Sequence, residues 1–275
     1  GDWFRAAHVQ AVLGALSVDG HRALLVGGCV RNDLLGQPVA DIDIATDALP
    51  HQVIDLAGRA GLRSVPTGIE HGTITVIAEG VPHEVTTFRR DVETDGRRAV
   101  VAFTGQLQED AARRDFTMNA LYADASGKVI DPIGGLPDIA ARRVRFVGSP
   151  EARIREDYLR ILRFFRFHAW YGDPVGGMDA EALAACAALS SGLAPISRER
   201  IGHEMRRLLA APDPAPAVAA MQASGVLGAI LPGADARALP VLVHLETGLV
   251  DPDWIRRLAV TRPQRVPGIR EAASD

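Results

Sequence analysis

Two carboxylates stand two residues apart in a segment that alternates as Asp-Ile-Asp-Ile. This two-residue period predicts a strand over residues 40–46 and places the side chains of Asp41 and Asp43 on the same face. Neighbouring carboxylates repel each other unless a cation lies between them. Mg²⁺ suits such a pair, because it combines one or two carboxylates with water and substrate phosphates. Taken alone, Asp-x-Asp is more often a solvated strand edge, so its surroundings decide the interpretation.

A pair of glycines lies upstream of these carboxylates, between a predicted strand at 23–26 and a predicted helix at 29–35. Gly27 and Gly28 would let backbone N–H groups approach a phosphate, and Arg31 stands in the first turn of the helix. The spacing matches neither a Walker A loop nor a dinucleotide fingerprint. A phosphate-binding turn beside a metal-binding carboxylate pair is the arrangement expected for nucleotidyl transfer.

These two features together resemble a known motif. Leu25-Val-Gly-Gly-Cys-Val-Arg-Asn-Asp-Leu-Leu-Gly36, followed by Asp41-Ile-Asp43, is similar to the first motif of class II CCA-adding enzymes and bacterial poly(A) polymerases. That motif usually has aspartate where Asn32 stands. The resemblance implies Mg²⁺ held by Asp41 and Asp43 in a two-metal mechanism. Glu84 is the candidate third carboxylate, as general base or metal ligand, although a solvent-facing strand residue fits its position equally well.

A second motif covers eight residues. Arg113-Arg-Asp-Phe-Thr-Met-Asn-Ala120 resembles the same family at every fixed position. Its arginines suit a triphosphate, while Asp115 and Asn119 suit ribose hydroxyls. The resemblance implies that Arg114 and Asp115 contact the sugar and select ribonucleotides over deoxyribonucleotides.

A third motif, Glu156-Asp157-x-x-Arg160, falls in a predicted helix that would make Asp157 and Arg160 neighbours. A carboxylate that accepts and a guanidinium that donates match the amino and ring-nitrogen edge of cytosine and adenine, but not that of guanine or uracil. An ordinary surface ion pair has the same spacing. The resemblance implies that this pair reads the incoming base, with Glu156 as a brace and Arg163 added to the nucleotide-binding residues.

Three further segments also match the family. Asp131-Pro-Ile-Gly-Gly135 resembles the hinge between its head and neck, and Ser197-Arg-Glu-Arg-Ile-Gly-His-Glu-Met205 resembles its last motif. We expect Glu199 and Arg200 to support the base-reading helix, and the first serine of that motif to cap its helix. The polar, arginine-rich stretch 89–108 is predicted to be a mobile loop with a possible short strand at 100–103, in the place of the family's flexible loop.

Composition constrains the class of protein. The net charge of −4 argues against general nucleic-acid affinity, but arginine supplies nearly all the positive charge and clusters between residues 89 and 166. This fits a polyanionic substrate, although a high-GC genome would produce the same arginine bias. No apolar run is long enough to span a bilayer, so we expect a cytoplasmic protein without membrane contact. Cys29 and Cys186 are predicted to be buried free thiols.

The order of elements predicts an α+β protein whose strands end near residue 150. The resemblance implies a polymerase-β-like nucleotidyltransferase head with a mixed sheet flanked by helices, followed by an all-α neck and a partial body. The predicted domains are 1–148, 149–212 and 213–275, the last of them incomplete. Predicted elements are strands at 23–26, 40–46, 73–78, 83–88, 122–123 and 129–130, and helices at 3–16, 29–35, 50–60, 109–121, 151–171, 179–190, 197–210 and 215–224.

The resemblance implies addition of CMP and AMP from CTP and ATP to the 3′ end of transfer RNA, with release of pyrophosphate. Two alternatives stay open. A poly(A) polymerase shares the head and neck, but such enzymes tend towards long basic tails that this acidic chain lacks. A truncated RNA-binding module would keep nucleotide binding with weak activity, since the family's chains usually extend well beyond residue 275. The oligomeric state is not fixed by the sequence.

Overall fold

A computed structural model of the chain describes residues 1–95 and 98–262. The chain divides into two compact units, Gly1–Asp157 and Tyr158–Asp275. The first unit carries all the strands of the described residues. They are β1 (Ala23–Val26), β2 (Asp43–Thr46), β3 (Arg63–Gly68), β4 (Thr73–Ala78), β5 (Val81–Thr87), β6 (Arg89–Asp95), β7 (Arg98–Phe103), β8 (Tyr122–Ala123) and β9 (Val129–Ile130).

A seven-stranded mixed sheet forms the centre of the first unit. Its strand order is β3-β4-β5-β2-β1-β8-β9, and β2 runs parallel to β5 while the other pairs are antiparallel. β1 is an unbroken apolar run because all four of its residues are buried. In β4, buried and half-buried residues alternate, as expected of a strand with one face on the core.

Helices of the first unit cover this sheet and connect its strands. The helices α1 and α3 pack together and against β4, and α1 contributes four fully buried residues to the core: Val9, Val12, Leu13 and Leu16. The six helices of this unit are α1 (Ala7–Leu16), α2 (Gly28–Leu34), α3 (Pro50–Arg59), α4 (Leu107–Ala112), α5 (Leu136–Ala140) and α6 (Pro150–Glu156), with short 3₁₀ turns at Trp3–Arg5, Ile69–His71 and Thr117–Asn119.

The second unit is helical throughout its described residues. Its longest helix, α7, buries Ile161, Leu162, Phe164 and Phe165, and packs against α9. Ser197 caps α9 as predicted, since its hydroxyl accepts a hydrogen bond from the backbone N of Arg200 at 3.4 Å. The helices are α7 (Leu159–Tyr171), α8 (Ala180–Ala188), α9 (Arg198–Leu209), α10 (Ala215–Ala223), α11 (Val226–Ile230), α12 (Leu239–Glu246) and α13 (Trp254–Thr261), with a 3₁₀ turn at Ser190–Leu193.

The predicted α+β class, with a mixed sheet and a following helical region, is confirmed. The strand at 23–26 and the strand pair 122–123 and 129–130 are found with the predicted bounds. Cys29 and Cys186 are buried free thiols, as predicted. In the part of the chain that the structure describes, no helix is both long and apolar enough to cross a membrane. The boundaries of the three predicted domains stay predictions.

The prediction of a loop at 89–108 is wrong, although the possible short strand at 100–103 is found within β7. Strands β6 and β7 pair as an antiparallel ribbon with a register shift between Asp91 and Glu93, and α4 begins at Leu107. A two-stranded ribbon is held by main-chain hydrogen bonds and needs no alternation of apolar residues, so the sequence pattern gave no signal for β6. Residues 96 and 97 lie outside the described residues.

The predicted helix at 109–121 is also wrong. It ends at Ala112, and a 3₁₀ turn at Thr117–Asn119 follows. Phe116 adopts an extended conformation between them and forms a β-bridge with Phe146. The Asp115 carboxylate accepts a hydrogen bond from the backbone N of Phe116 at 2.9 Å. Local bonding of an aspartate to the backbone competes with helix formation, which explains the interruption.

The single helix predicted at 151–171 is broken at Asp157. Helix α6 ends at Glu156, Asp157 has extended dihedral angles of φ −155° and ψ 106°, and α7 begins at Leu159. Asp157 and Arg160 are therefore not neighbours on one continuous helical face, as the sequence pattern suggested. No proline or glycine marks this break, and the apolar period continues across it, so residue pattern alone could not reveal it.

Candidate active site

The parallel pairing of β2 and β5 places two carboxylates side by side. Asp43 is the first residue of β2 and lies directly opposite Glu84 of β5, while on its other side it faces Val26 of β1. The strand that carries Glu84 thus pairs directly with the strand that Asp43 begins. Asp41 lies just before β2 and not within it, because the strand begins at Asp43. The same-face argument from strand alternation therefore does not apply to Asp41.

The electrostatics of this corner favour a cation. The pKa of Asp43 is raised because surrounding protein atoms remove part of its hydration and because the charges of Glu84 and Asp41 repel its own. The nearby Arg114 guanidinium opposes this rise without cancelling it. An excess of negative charge is left at the end of β2, which is the condition under which a metal ion or a further cation binds favourably.

At Gly27 the absence of a side chain lets Arg114 and the backbone of Asn119 lie close to the turn. Gly27 has φ +73°, and a Cβ built on it would lie 3.4 Å from Nη1 of Arg114 and 3.6 Å from the carbonyl oxygen of Asn119. Its own N–H donates to the carbonyl oxygen of Leu121 at 3.1 Å. The predicted approach of backbone to a phosphate is therefore not available to the N–H of Gly27. Gly28, which begins α2, lies beside Arg31, since its Cβ would be 3.7 Å from Nη2 of that residue.

Arg31 is joined to the second motif by a buried chain of hydrogen bonds. Arg31 Nη1 donates to Oδ1 of Asn119, and Asn119 Nδ2 donates to Oδ1 of Asp115 at 2.9 Å. All three side chains are buried. The structure thus brings together three of the residues that the sequence assigned to nucleotide binding. Because buried polar networks are rigid when satisfied, this network fixes the α2 end against the 3₁₀ turn.

Asn32, which replaces the usual aspartate of the first motif, has both kinds of partner that an amide needs. Its Oδ1 accepts hydrogen bonds from Arg31 Nε at 3.1 Å and Nη2 at 2.8 Å, and its Nδ2 donates to the carbonyl oxygen of Pro38 at 2.9 Å. A carboxylate at this position would still accept from Arg31, but it has no proton to donate to a carbonyl. The amide therefore ties Arg31 to the turn that leads into Asp41.

Asp110 and Tyr122 were missed by the sequence interpretation. Asp110 is 1% exposed, and its Oδ2 accepts from Arg114 Nη2 at 3.0 Å and from the Tyr122 hydroxyl at 2.7 Å. The Tyr122 oxygen accepts in turn from Arg114 Nε at 3.1 Å. One signal pointed to Asp110, since it stands four residues before Arg114, a spacing at which acidic and basic side chains pair on a helix.

The predicted hinge segment forms a capped turn. The two carboxylate oxygens of Asp131 accept from the backbone N of Gly135 at 2.8 Å and of Leu136 at 3.0 Å, at the start of α5. A Cβ on Gly135 would lie 2.5 Å from the carbonyl oxygen of Thr117, so only glycine fits there. The following Asp138 is fully buried and binds Arg143 and Arg145. This arrangement describes a rigid turn, and hinge motion stays a prediction.

The predicted base-reading and supporting residues lie in or next to α6, α7 and α9. Glu156 is the last residue of α6, where its carboxylate pairs with Arg153 at 2.8 Å. In α7, the guanidinium of Arg163 lies 3.9 Å from the Glu204 carboxylate and over the ring of Phe167. The first turn of α9 carries Glu199 and Arg200. The roles of these residues, and of Asp157 and Arg160, stay predictions.

The donor set at the end of β2 suits Mg²⁺. Among the described residues no group of three or more His, Cys, Asp or Glu side chains forms a ready-made metal cage. Mg²⁺ does not need one, since it is commonly held by one or two carboxylates together with substrate phosphates and water. Asp43 offers a carboxylate whose pKa is raised by loss of hydration and by the neighbouring charge of Glu84, and a bound cation would offset the second of these effects. The residues present therefore fit the ion.

Two family models match the chain. The one described as poly A polymerase head domain matches residues 23–145, and the one described as probable RNA and SrmB-binding site of polymerase A matches residues 177–237. The first match contains every strand of the central sheet and each residue of the carboxylate and glycine-turn region described above.

Alignments with curated relatives of the same family cover more of the chain than the two family models do. The CCA-adding enzyme of Geobacillus thermodenitrificans (strain NG80-2) is 40% identical over 253 residues, which cover 91% of this chain and 57% of that protein. Human mitochondrial CCA tRNA nucleotidyltransferase 1 is 44% identical over 192 residues, covering 70% of this chain and 44% of the relative. The chain spans about half the length of the curated relatives it matches.

Solved structures share the fold. The CCA-adding enzyme of Bacillus stearothermophilus in complex with CTP superposes with a TM-score of 0.71 at 38% identity, covering 80% of this chain and 52% of that one. A tRNA nucleotidyltransferase complexed with a primer tRNA and an incoming ATP analog superposes with a TM-score of 0.73 at 26% identity, covering 91% of this chain and 74% of that one. The protein described here belongs to the nucleotidyltransferase family of CCA-adding enzymes and bacterial poly(A) polymerases.

Proposed function

We propose that this chain is the catalytic and nucleotide-selecting part of a template-independent nucleotidyltransferase. It transfers CMP and AMP from CTP and ATP to the 3′ end of transfer RNA and releases pyrophosphate. The relatives that support this are named for CCA addition, and two of the similar solved structures hold CTP or a primer tRNA with an ATP analog.

The observation that carries the proposal is the register of β2 on β5. It sets Asp43 against Glu84, with Asp41 close enough to raise the pKa of Asp43 and Arg114 close enough to oppose that rise. Carboxylates and an arginine in one corner provide opposite charges for the two halves of the reaction. The carboxylates act on the attacking hydroxyl and the arginine binds the leaving phosphates.

Different residues would bind the triphosphate, contact the ribose and accept the proton of the attacking hydroxyl. Arg114 and Arg31, held by Asp110 and Asn119, bind the triphosphate, and Asp115 together with Asn119 faces the ribose. Glu84 receives the proton of the RNA 3′-hydroxyl at its carboxylate as that oxygen attacks the α-phosphate. A Mg²⁺ pair held by Asp41 and Asp43 would lower the pKa of the hydroxyl and stabilise the departing pyrophosphate.

Base selection is assigned to the third motif. Asp157 accepts from the amino group and Arg160 donates to the ring nitrogen of cytosine or adenine, with Glu156 as a brace and Arg163 as a further nucleotide-binding residue. Guanine and uracil present a carbonyl beside an N–H, so either base leaves polar groups unpaired. Asp157 is extended rather than helical, so its role does not rest on a shared helical face.

An incorporation assay tests the proposal. The protein is incubated with Mg²⁺, one labelled NTP at a time, and either a transfer RNA that ends at the discriminator base or an oligo(A) primer. We expect incorporation of CMP and AMP on the transfer RNA alone. Long AMP runs on both primers would instead indicate a poly(A) polymerase. Mg²⁺-dependent CTP binding without incorporation would indicate the truncated RNA-binding module. Absence of both binding and incorporation would refute nucleotidyl transfer. Asp43→Asn is the matched inactive variant.

A further inference from the structure

The buried carboxylate of Asp110 accepts four hydrogen bonds near the site, although no motif includes it. It lies in α4 and is 1% exposed. Its Oδ1 accepts from Arg113 Nε at 3.1 Å and from the backbone N of Arg89 at 3.3 Å, while its Oδ2 accepts from Arg114 Nη2 at 3.0 Å and from the Tyr122 hydroxyl at 2.7 Å. Each carboxylate oxygen thus has two donors.

Asp110 remains ionised in this setting. Burial by itself raises the pKa of a carboxyl, but Arg114 and Arg113, with a hydrogen bond from Tyr122, outweigh it and hold the pKa of Asp110 below its ordinary value. The charge is needed, because a neutral group would leave two partly buried guanidinium groups without their counter-charge. Asp110 is therefore a fixed anion around which the arginines are arranged.

The arrangement determines where the guanidinium of Arg114 lies. Its Nη2 is bound by Asp110 and its Nε by the Tyr122 oxygen, so the plane of the group is set by two contacts on one side. The remaining nitrogen, Nη1, donates to the carbonyl oxygen of Asn119 at 3.5 Å and lies at the glycine turn, where a Cβ on Gly27 would stand 3.4 Å away. The same guanidinium acts electrostatically on Asp43. Without Asp110, the Arg114 guanidinium would lose the buried carboxylate that holds it against the attraction of the β2 carboxylates.

We infer that Asp110 is a positioning residue that holds Arg114 at Gly27, ready to bind the triphosphate, and keeps it from folding onto the Asp43 carboxylate. The inference rests on the proposed function, since it concerns binding of the same nucleotide. Asp110 does not touch the substrate itself. It acts through Arg114, with Tyr122 as the second support of the same guanidinium.

Binding of CTP separates this role from a simple charge effect. If Asp110 acted only by its charge, its removal would tighten binding of an anionic triphosphate, because the local potential would become more positive. Positioning predicts the reverse. We expect Asp110→Asn to weaken CTP binding about tenfold, measured by calorimetry with Mg²⁺ on the 275-residue chain, which is within the range of coupling energies between contacting groups.

A double-mutant cycle with Arg114→Gln supplies the decisive comparison. When Asp110 acts through Arg114, the double variant binds CTP no more weakly than Arg114→Gln alone. Additive losses would overturn the inference, as would unchanged or tighter binding by Asp110→Asn. A loss of folded protein lowers the number of binding sites but not the dissociation constant, so the two effects are separable. Should wild type itself fail to bind CTP, the proposed function fails and not merely the role of Asp110.

Two more variants keep the test open if Asp110→Asn does not fold. Tyr122→Phe removes one hydroxyl that bonds both Asp110 and Arg114, and we expect it to weaken CTP binding less than Asp110→Asn but in the same direction. Unchanged binding by a folded Tyr122→Phe would contradict the inference. Asp138→Asn is the matched control, because Asp138 is also buried, binds two arginines and lies in the same unit. It should lose stability without weakening CTP binding.

Discussion

Asp43 and Glu84 lie directly opposite each other on two parallel strands, so their carboxylates share one corner of the sheet. Parallel neighbours in register bring side chains of the same face together, and a cation that binds there relieves the repulsion between two carboxylates. The pKa of Asp43 is raised, first because protein atoms remove part of its hydration and then because the charge of Glu84 repels its own. The first prediction follows from it.

Replacement of Asp43 by Asn should stabilise the protein in the absence of divalent metal while abolishing incorporation. A carboxyl whose pKa is raised by folding binds more protons in the folded state, so its ionisation opposes folding as the pH rises through and above the carboxyl range. The midpoint of thermal unfolding of Asp43→Asn, minus that of wild type, should therefore be larger at pH 7 than at pH 3.5. A difference that shrinks as the pH rises would contradict the sign of the shift.

Mg²⁺ should make wild type more stable than Asp43→Asn, the reverse of the order expected without metal. An ion that binds the folded state alone raises its stability by mass action, and Asp43 is the ligand that the variant lacks. We expect millimolar Mg²⁺ to raise the unfolding midpoint of wild type and to leave that of Asp43→Asn nearly unchanged. Asp47→Asn is a useful comparison, since Asp47 lies just beyond β2 and pairs with Arg22 and His21. It should keep the response to Mg²⁺.

Replacement of Asp138 by Asn tests the buried ion cluster of the capped turn. Asp138 is fully buried and accepts hydrogen bonds from Thr117, Arg143 and Arg145, which hold its pKa below the ordinary value against the effect of burial. The arginine side chains are 48% and 41% exposed, so water screens part of their attraction, and we expect the replacement to cost about 2 kcal/mol of unfolding free energy. Chemical denaturation of the variant at pH 7 measures this loss.

The pH dependence of the same cluster has a definite sign. A lowered pKa in the folded state stabilises the protein above the carboxyl pKa of the unfolded chain, and this contribution is lost as the pH falls through the lower, folded value. The difference in unfolding free energy between wild type and Asp138→Asn should thus diminish on acidification. A constant difference from pH 7 to pH 3 would show that Asp138 contributes by packing and not by its charge.

Particular residues show what could be predicted from the sequence. The Asp-x-Asp segment, the glycine turn and the Arg113–Ala120 segment were found because residue types at fixed spacing carry the chemistry, and Arg31, Asn119 and Asp115 do lie in one hydrogen-bonded chain. Asp110 was missed because its importance comes from burial among arginines, which spacing reveals only weakly. The strand that carries Glu84 was predicted because its apolar residues alternate, whereas its pairing with β2 does not follow from that pattern.

Two backbone features could not be read from the pattern of apolar residues. The extended conformation of Asp157 interrupts a helical period by one residue, and that period is insensitive to a single pair of dihedral angles. The β6–β7 ribbon gains its order from cross-strand main-chain pairing, for which a polar, arginine-rich sequence has no distinct signature. Both features depend on tertiary structure, which overrides local preference.

Replacement of Arg160 should change which base is used more than it changes folding. If Arg160 donates to the ring nitrogen of cytosine and adenine, Arg160→Ala removes the contact that favours these bases, and the ratio of CMP to UMP incorporation should fall by at least about a hundredfold. Arg155→Ala is the matched control, since Arg155 is an exposed arginine of α6 and should keep the ratio. Equal losses with all four NTPs would assign Arg160 to phosphate binding instead.

The last prediction concerns Gly27, which has a matched control within the chain. Gly27 and Gly61 both have φ +73°, but nothing lies within 4 Å of a Cβ on Gly61, whereas a Cβ on Gly27 meets Arg114 Nη1 at 3.4 Å. Alanine at either position should lower the unfolding free energy, because an L-residue is strained at positive φ, and the loss should be larger at Gly27, whose ψ of −117° lies outside the left-handed helical region. Only Gly27→Ala should also weaken CTP binding, since its methyl group would lie in van der Waals contact with Nη1 of Arg114, beside the guanidinium that binds the triphosphate. Calorimetric titration of both variants with CTP decides the matter. Equal affinities of Gly27→Ala and Gly61→Ala for CTP would mean that Gly27 serves the turn alone, and that Arg114 binds the triphosphate equally well with a methyl group beside it.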